Sequence, residues 1–119
     1  MKADLEYLSL EFAVKILSFS KDLKRDKEYI ITDQIGRSGT SIGANIKEAH
    51  YAQSKADFIS KMTIALKEAN ETEYWLELAE RVNSNYLHKI QELKNDCNVL
   101  KMILIKSVRT AKNNAKEDK

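Results

Sequence analysis

The chain has 119 residues, a net charge of +2, no proline, three glycines and one cysteine. That length makes one domain able to bury a core unaided, the scarcity of turn residues excludes sheet-rich folds, and the small net charge excludes nucleic-acid binding inferred from total charge alone. Cys97 alone cannot form an intrachain disulfide, no apolar run approaches the ~20 residues that cross a bilayer, and the N-terminus does not read as a signal peptide, so a cytoplasmic protein is expected.

A first helix is predicted over about 4–25. Leu5, Leu8, Phe12, Ile16, Phe19 and Leu23 follow the three-and-four spacing of one buried face. Leu10, Val14 and Leu17 make a shorter apolar stripe on nearly the opposite side, which an isolated bundle leaves in water. Charged residues from Lys21 to Lys27 crowd the turn that follows. A second helix is expected over about 28–52, with Ile31, Ile35, Ser38, Ile42, Ile46 and Ala49 facing inward. Its glycines, Gly36, Gly39 and Gly43, each cost roughly 1 kcal/mol relative to alanine. Two of them share a side, so they either admit a close neighbour or mark a locally weak helix.

The third helix starts near Ser54, where Ser54-Lys55-Ala56-Asp57 reads as an N-cap with an acidic first turn. It ends near Asn83-Ser84-Asn85, where an asparagine can take the left-handed conformation that usually falls to glycine. Phe58, Met62, Ala65, Ala69, Thr72, Leu76 and Ala79 share one face, and Ile64, Glu68, Glu71, Trp75, Leu78 and Val82 form a second stripe beside it. A solvated surface helix has one apolar stripe; two belong to a helix that meets more than one neighbour. The fourth helix, from about Leu87, uses Leu93, Cys97, Leu100, Leu104, Val108 and Ala111, with Val99, Met102 and Ile103 on a second apolar side. Residues 113–119 form a basic and polar tail expected to fray, which leaves 1–112 as the domain. Short connections between long helices favour antiparallel neighbours, so the fold class is all-α, an up-down-up-down four-helix bundle.

Beside the apolar face of the second helix, Gln34, Arg37, Ser41, Asn45 and Glu48 fall on one polar stripe. A buried polar group without a partner costs about 1–3 kcal/mol. Glu68 and Glu71, on the matching flank of the third helix, are the expected partners of Arg37, within a protomer or across subunits. Trp75 on the same flank reads as a core or interface anchor.

These residues carry a resemblance. Gln34-Ile35-x-Arg37-Ser38-x-x-Ser41-Ile42-x-x-Asn45-Ile46-x-Glu48 resembles the second-helix signature of the four-helix bundle proteins encoded in intervening sequences of bacterial 23S ribosomal RNA genes. Phe58-x-x-Lys61, followed by Ile64-Ala65-Leu66-Lys67-Glu68-Ala69-x-Glu71-Thr72-x-Tyr74-Trp75-Leu76, is similar to the third helix of one branch of that family. The likeness runs from the first helix to Val108. Asn85 stands where the family often has glycine before Tyr86-Leu87, and Gly36 and Gly39 are unusual within the second helix. The resemblance implies a left-handed antiparallel bundle that assembles into a ring-like homopentamer. It also implies kinship with the accessory variability proteins of diversity-generating retroelements, basic pentamers that bind nucleic acid and a reverse transcriptase. The intervening-sequence branch has no established molecular activity.

Catalytic, cofactor and metal sites are not expected. A di-iron bundle needs Glu-x-x-His pairs, but Lys47 precedes His50 and Asn85 precedes His88 at that spacing. Both histidines read as surface or loop residues. Cys97 lies among core leucines as a small hydrophobe. On the fourth helix Lys101, Arg109, Lys112 and Lys116 fall within about 80° of one another. Such a strip is either a solvated face favoured by the helix dipole or, repeated around a ring, a polybasic surface for phosphates. No aromatic residues interleave with it, so little base specificity is expected. The reading is a non-enzymatic oligomeric scaffold for the RNA or DNA backbone, alongside ribosomal RNA or a reverse transcriptase. The alternative is a protein–protein adaptor whose basic strip only solubilises it, and an enzyme built on Arg37, Glu68 and Glu71 is a third.

Overall fold

Local hydrogen bonds set where several of the helices start and stop. In the computed structural model, which describes residues 2–117 and the side chains of 5–116, the helices are α1 (Lys2–Arg25), α2 (Tyr29–His50), α3 (Lys55–Val82) and α4 (Leu87–Glu117). Ser54 caps α3 as expected, its Oγ accepting the Asp57 N–H at 3.0 Å. The end of α1 is closed by Lys27, whose φ of 65° is the one left-handed non-glycine value among the described residues. There Glu28 N–H reaches Leu23 O at 2.9 Å and Lys27 N–H reaches Lys24 O at 3.0 Å, the paired bonds that satisfy a helix C-terminus.

The left-handed position open to an asparagine at the end of α3 is not used. Asn83 is extended, with φ −147°, and a short 3-10 turn over Ser84–Tyr86 follows it. Its amide explains why. Nδ2 donates to Asp26 at 2.9 Å while Oδ1 accepts the Asn85 N–H at 3.0 Å, so a nearly buried Asn83 ties the α3–α4 turn to the α1–α2 turn. At the other end α4 keeps helical geometry to Glu117, through most of the stretch read as a tail.

The four helices pack around the rod in chain order, α1 against α2 and α4, α3 against α2 and α4. The rod measures 53 × 21 × 20 Å. Its axis is filled by the positions that periodicity selects: Phe12, Ile16, Phe19 and Leu23 of α1, Ile35, Ile42 and Ile46 of α2, Met62 and Leu76 of α3, and Leu93, Leu100 and Leu104 of α4 are all buried. Leu8 is the exception, 37 % exposed, because it lies on the flank where α1 and α4 diverge. Ser9 is buried in its stead.

Glycine decides how closely α1 approaches α2. A methyl group built on Gly39 would sit 2.7 Å from Ile16 Cγ2, and one on Gly43 would sit 3.2 Å from Ser9 Oγ. Close approach, not local weakness, is the role of these two positions. Small residues do the same between α2 and α3, where the buried hydroxyls of Ser38 and Thr72 lie 2.9 Å apart and Thr72 also donates to Glu68 O at 2.8 Å. Cys97 behaves as the expected small hydrophobe. It lies buried, 3.3 Å from Ala69 O, and loss of hydration pushes its thiol up to about 12. No helix among the described residues is long and apolar enough to cross a membrane.

Candidate functional site

Three surfaces carry the side chains that core packing does not use. The first is the polar seam between α2 and α3. Its α2 stripe points along α3, and Arg37 reaches both expected carboxylates: Glu68 at 3.4 Å and Glu71 in close contact. The two carboxylates, Glu71 foremost, raise the guanidinium pKa further above its usual value. Trp75 is half-buried and its indole N–H donates to Glu71 at 3.3 Å, so Glu71 bridges Arg37 and the indole. Ser41 Oγ donates to Arg37 O at 2.7 Å, Asn45 donates to Ser41 O at 2.8 Å, and Glu48 meets Lys61 of α3 at 3.2 Å. Gln34 is half-buried on the same flank. Opposite charges neutralise one another along this seam, which is the arrangement of a structural lock; an acid/base pair would need one group held out of such a pairing.

The second surface is the outer face of α1. Leu10, Val14 and Leu17 are 62 %, 58 % and 50 % exposed, with Tyr7 continuing the row. Their 3-4-3 spacing is that of a seam that packs on another helix. Beside them Thr40, Gly43 and Ala44 of α2 leave a shallow groove along the stripe. Val99 and Met102 of α4 form a smaller exposed apolar pair.

The third is the C-terminal half of α4. Arg109, Lys112 and Lys116 line one shallow groove over Ile59, Leu66, Ile105 and Val108, and none has an ion-pair partner among the described residues. Lys101 does not join them. It turns onto the α3 flank and pairs with Glu73 at 3.0 Å. Helical angle on α4 cannot reveal this, because the carboxylate comes from another helix.

Two residues stand outside what the sequence predicts: Lys106 is a C-terminal cation that the predicted strip leaves out, and His50 is misread. Lys106 is a further exposed cation on the same half of α4. His50, read as a surface or loop residue, closes the last turn of α2 with a side chain only 8 % exposed, its Nδ1 against Glu6. That hydrogen bond holds the Glu6 carboxyl below its ordinary value, helped by Lys47 at 3.5 Å. Nothing local signals the burial, since Glu6 and His50 are joined only by the α1–α2 packing. Among the described residues no cluster of His, Cys, Asp or Glu could hold a metal ion.

The sequence profile of the 23S rRNA-intervening sequence proteins matches residues 3–106. A crystal structure of a protein of unknown function from the S23 ribosomal protein family of Bacteroides thetaiotaomicron VPI-5482 is 48 % identical. Its TM-score is 0.87, and the alignment covers 92 % of this chain and 99 % of that one. No curated protein matches the chain.

Proposed function

The chain belongs to the 23S rRNA-intervening sequence protein family, and on that premise we propose that it works as a non-enzymatic homo-oligomeric scaffold that binds RNA or DNA through backbone phosphates. The observation that carries this reading is the apolar stripe Leu10, Val14 and Leu17, which a lone protomer leaves in water. In an assembly of further copies the basic end of α4 recurs once per protomer. Five copies is the order that the family resemblance implies. Arg109, Lys112 and Lys116, which have no ion-pair partner among the described residues, then make a repeated cationic surface. Each phosphate it neutralises releases counterions, so affinity falls steeply with salt. Lys101 is not part of that surface, because Glu73 already holds it.

The test is fluorescence anisotropy with an unrelated structured RNA over a salt series. Binding should weaken linearly on a log–log plot and disappear when Arg109, Lys112 and Lys116 are all changed to Glu. Lys101→Glu alone should leave it nearly unchanged. The second reading is a protein–protein adaptor. It is favoured by the Lys101–Glu73 pair and by the ordinary preference of cations for a helix C-terminus. Absence of RNA binding at low salt would select it.

A further inference from the structure

Toward Leu5, α1 and α4 part and leave a cavity of about 830 Å³ that all four helices line. Leu5, Leu8, Phe58, Met62 and Ile103 make its apolar wall, and Lys106, Ser107, Thr110 and Asn114 of α4 make a polar one. His50 completes the lining. Glu6 occupies its Nδ1, which leaves the other ring nitrogen, Nε2, without a hydrogen-bond partner among the described residues. Among the described residues the buried side-chain polar atom without a partner is Ser20 Oγ, so Nε2 of His50 is not shut away and stays accessible to a second partner. The carboxylate behind the ring fixes its orientation, with the Nδ1 hydrogen directed at Glu6 and Nε2 left for a second partner. Lys106 also lacks an ion pair among the described residues.

We propose that this cavity binds a single-chain amphiphile with one carboxylate head, of the size of a medium-chain fatty acid. Its volume lies within the roughly 300–1,000 Å³ of small-molecule sites, and such sites combine apolar walls with a few convergent polar groups. The apolar wall takes the chain. The polar groups take the head. With one ammonium, from Lys106, the site matches a monoanion better than a phosphate dianion, whose second charge would be left uncompensated. This site is separate from the groove of Arg109, Lys112 and Lys116, so the inference does not depend on nucleic-acid binding.

Isothermal titration of the intact protein with decanoate tests it. Saturable binding of one decanoate per chain is expected. Lys106→Glu should weaken decanoate roughly tenfold or more, the scale of one charge-assisted hydrogen bond, and should leave decanol unchanged. Thr110→Trp, at an exposed lining position, should block both probes while circular dichroism shows the helices intact. No saturable decanoate binding to the parent protein overturns the proposal. So does binding that ignores Thr110→Trp, and binding that ignores Lys106→Glu overturns the placement of the head group. If a second copy fills the cavity instead, Thr110→Trp lowers the assembly mass and decanoate does not bind, which also overturns it.

Discussion

The α2–α3 seam and the α1–α4 seam each join two long helices, yet one is shut and the other is half open. Between α2 and α3, Ser38, Ala65, Ala69 and Thr72 keep the buried face small, and Arg37, Glu68, Glu71, Glu48 and Lys61 close the outside. Between α1 and α4 the closure covers only one half. There Phe19 meets Tyr86 edge to face at 5.7 Å, Lys89 reaches Asp22 at 2.5 Å, and Lys15 bridges Glu92 and Asp96 at 3.0 and 2.9 Å. Toward Leu5 the two helices separate around the cavity. Side-chain volume at the contact helps set helix separation, so the small residues of the α2–α3 face let those two helices pack closely. The closed regions hold the fold; the surfaces left over are those available for partners and ligands.

The largest effect should separate the two halves of the α1–α4 seam. Phe19→Ala, in the closed half, should lose about 3–5 kcal/mol in urea unfolding, whereas Leu8→Ala, at the open end, should cost less than about 1 kcal/mol. Equal losses would mean that the open end is as tightly packed as the closed one. Next come the glycines of the α1–α2 contact. Gly39→Ala should destabilise by about 1–3 kcal/mol despite its better helix propensity, because Ile16 Cγ2 and Cγ1 crowd the new methyl. Gly36→Ala, whose methyl would lie 3.4 Å from Ser20 Oγ, should instead gain up to about 1 kcal/mol.

Arg37→Ala should cost about 1 kcal/mol, the scale of a partly exposed network of ion pairs. A loss beyond about 3 kcal/mol would show that the seam is desolvated, as it would be if another subunit covered it. The smallest effect is on acid stability. Lys89 holds the Asp22 carboxyl below its ordinary value, and Lys15 does the same to Glu92. For a depressed carboxylate the native state binds fewer protons than the unfolded chain. Its contribution is therefore present above the unfolded value, near pH 4, and is lost as pH falls through the folded one. Asp22→Asn should lower the pH 7 stability and flatten its decline below about pH 4, measured by urea midpoints across pH.

Much of the fold was legible because helices repeat their contacts every three or four residues. The same rule placed Arg37 opposite Glu68 and Glu71, since matching flanks of adjacent helices must meet. It failed at Leu8, where divergence of α4 and not periodicity decides burial. It also failed at Lys101, because a helical angle gives direction but not what waits on the neighbouring helix. His50 and the cavity beside it depend on how four helix ends converge, and no local pattern encodes that. The turn at Lys27 was equally hidden, for lysine carries no preference for the left-handed region it occupies.

Light scattering after size-exclusion chromatography tests most directly whether the α1 stripe is covered by other copies. The parent protein should elute with a mass several times 13.7 kDa, and Leu10→Glu combined with Leu17→Glu should return it to one chain mass with its helical circular dichroism intact. A parent protein that stays at 13.7 kDa up to millimolar concentration would contradict the account.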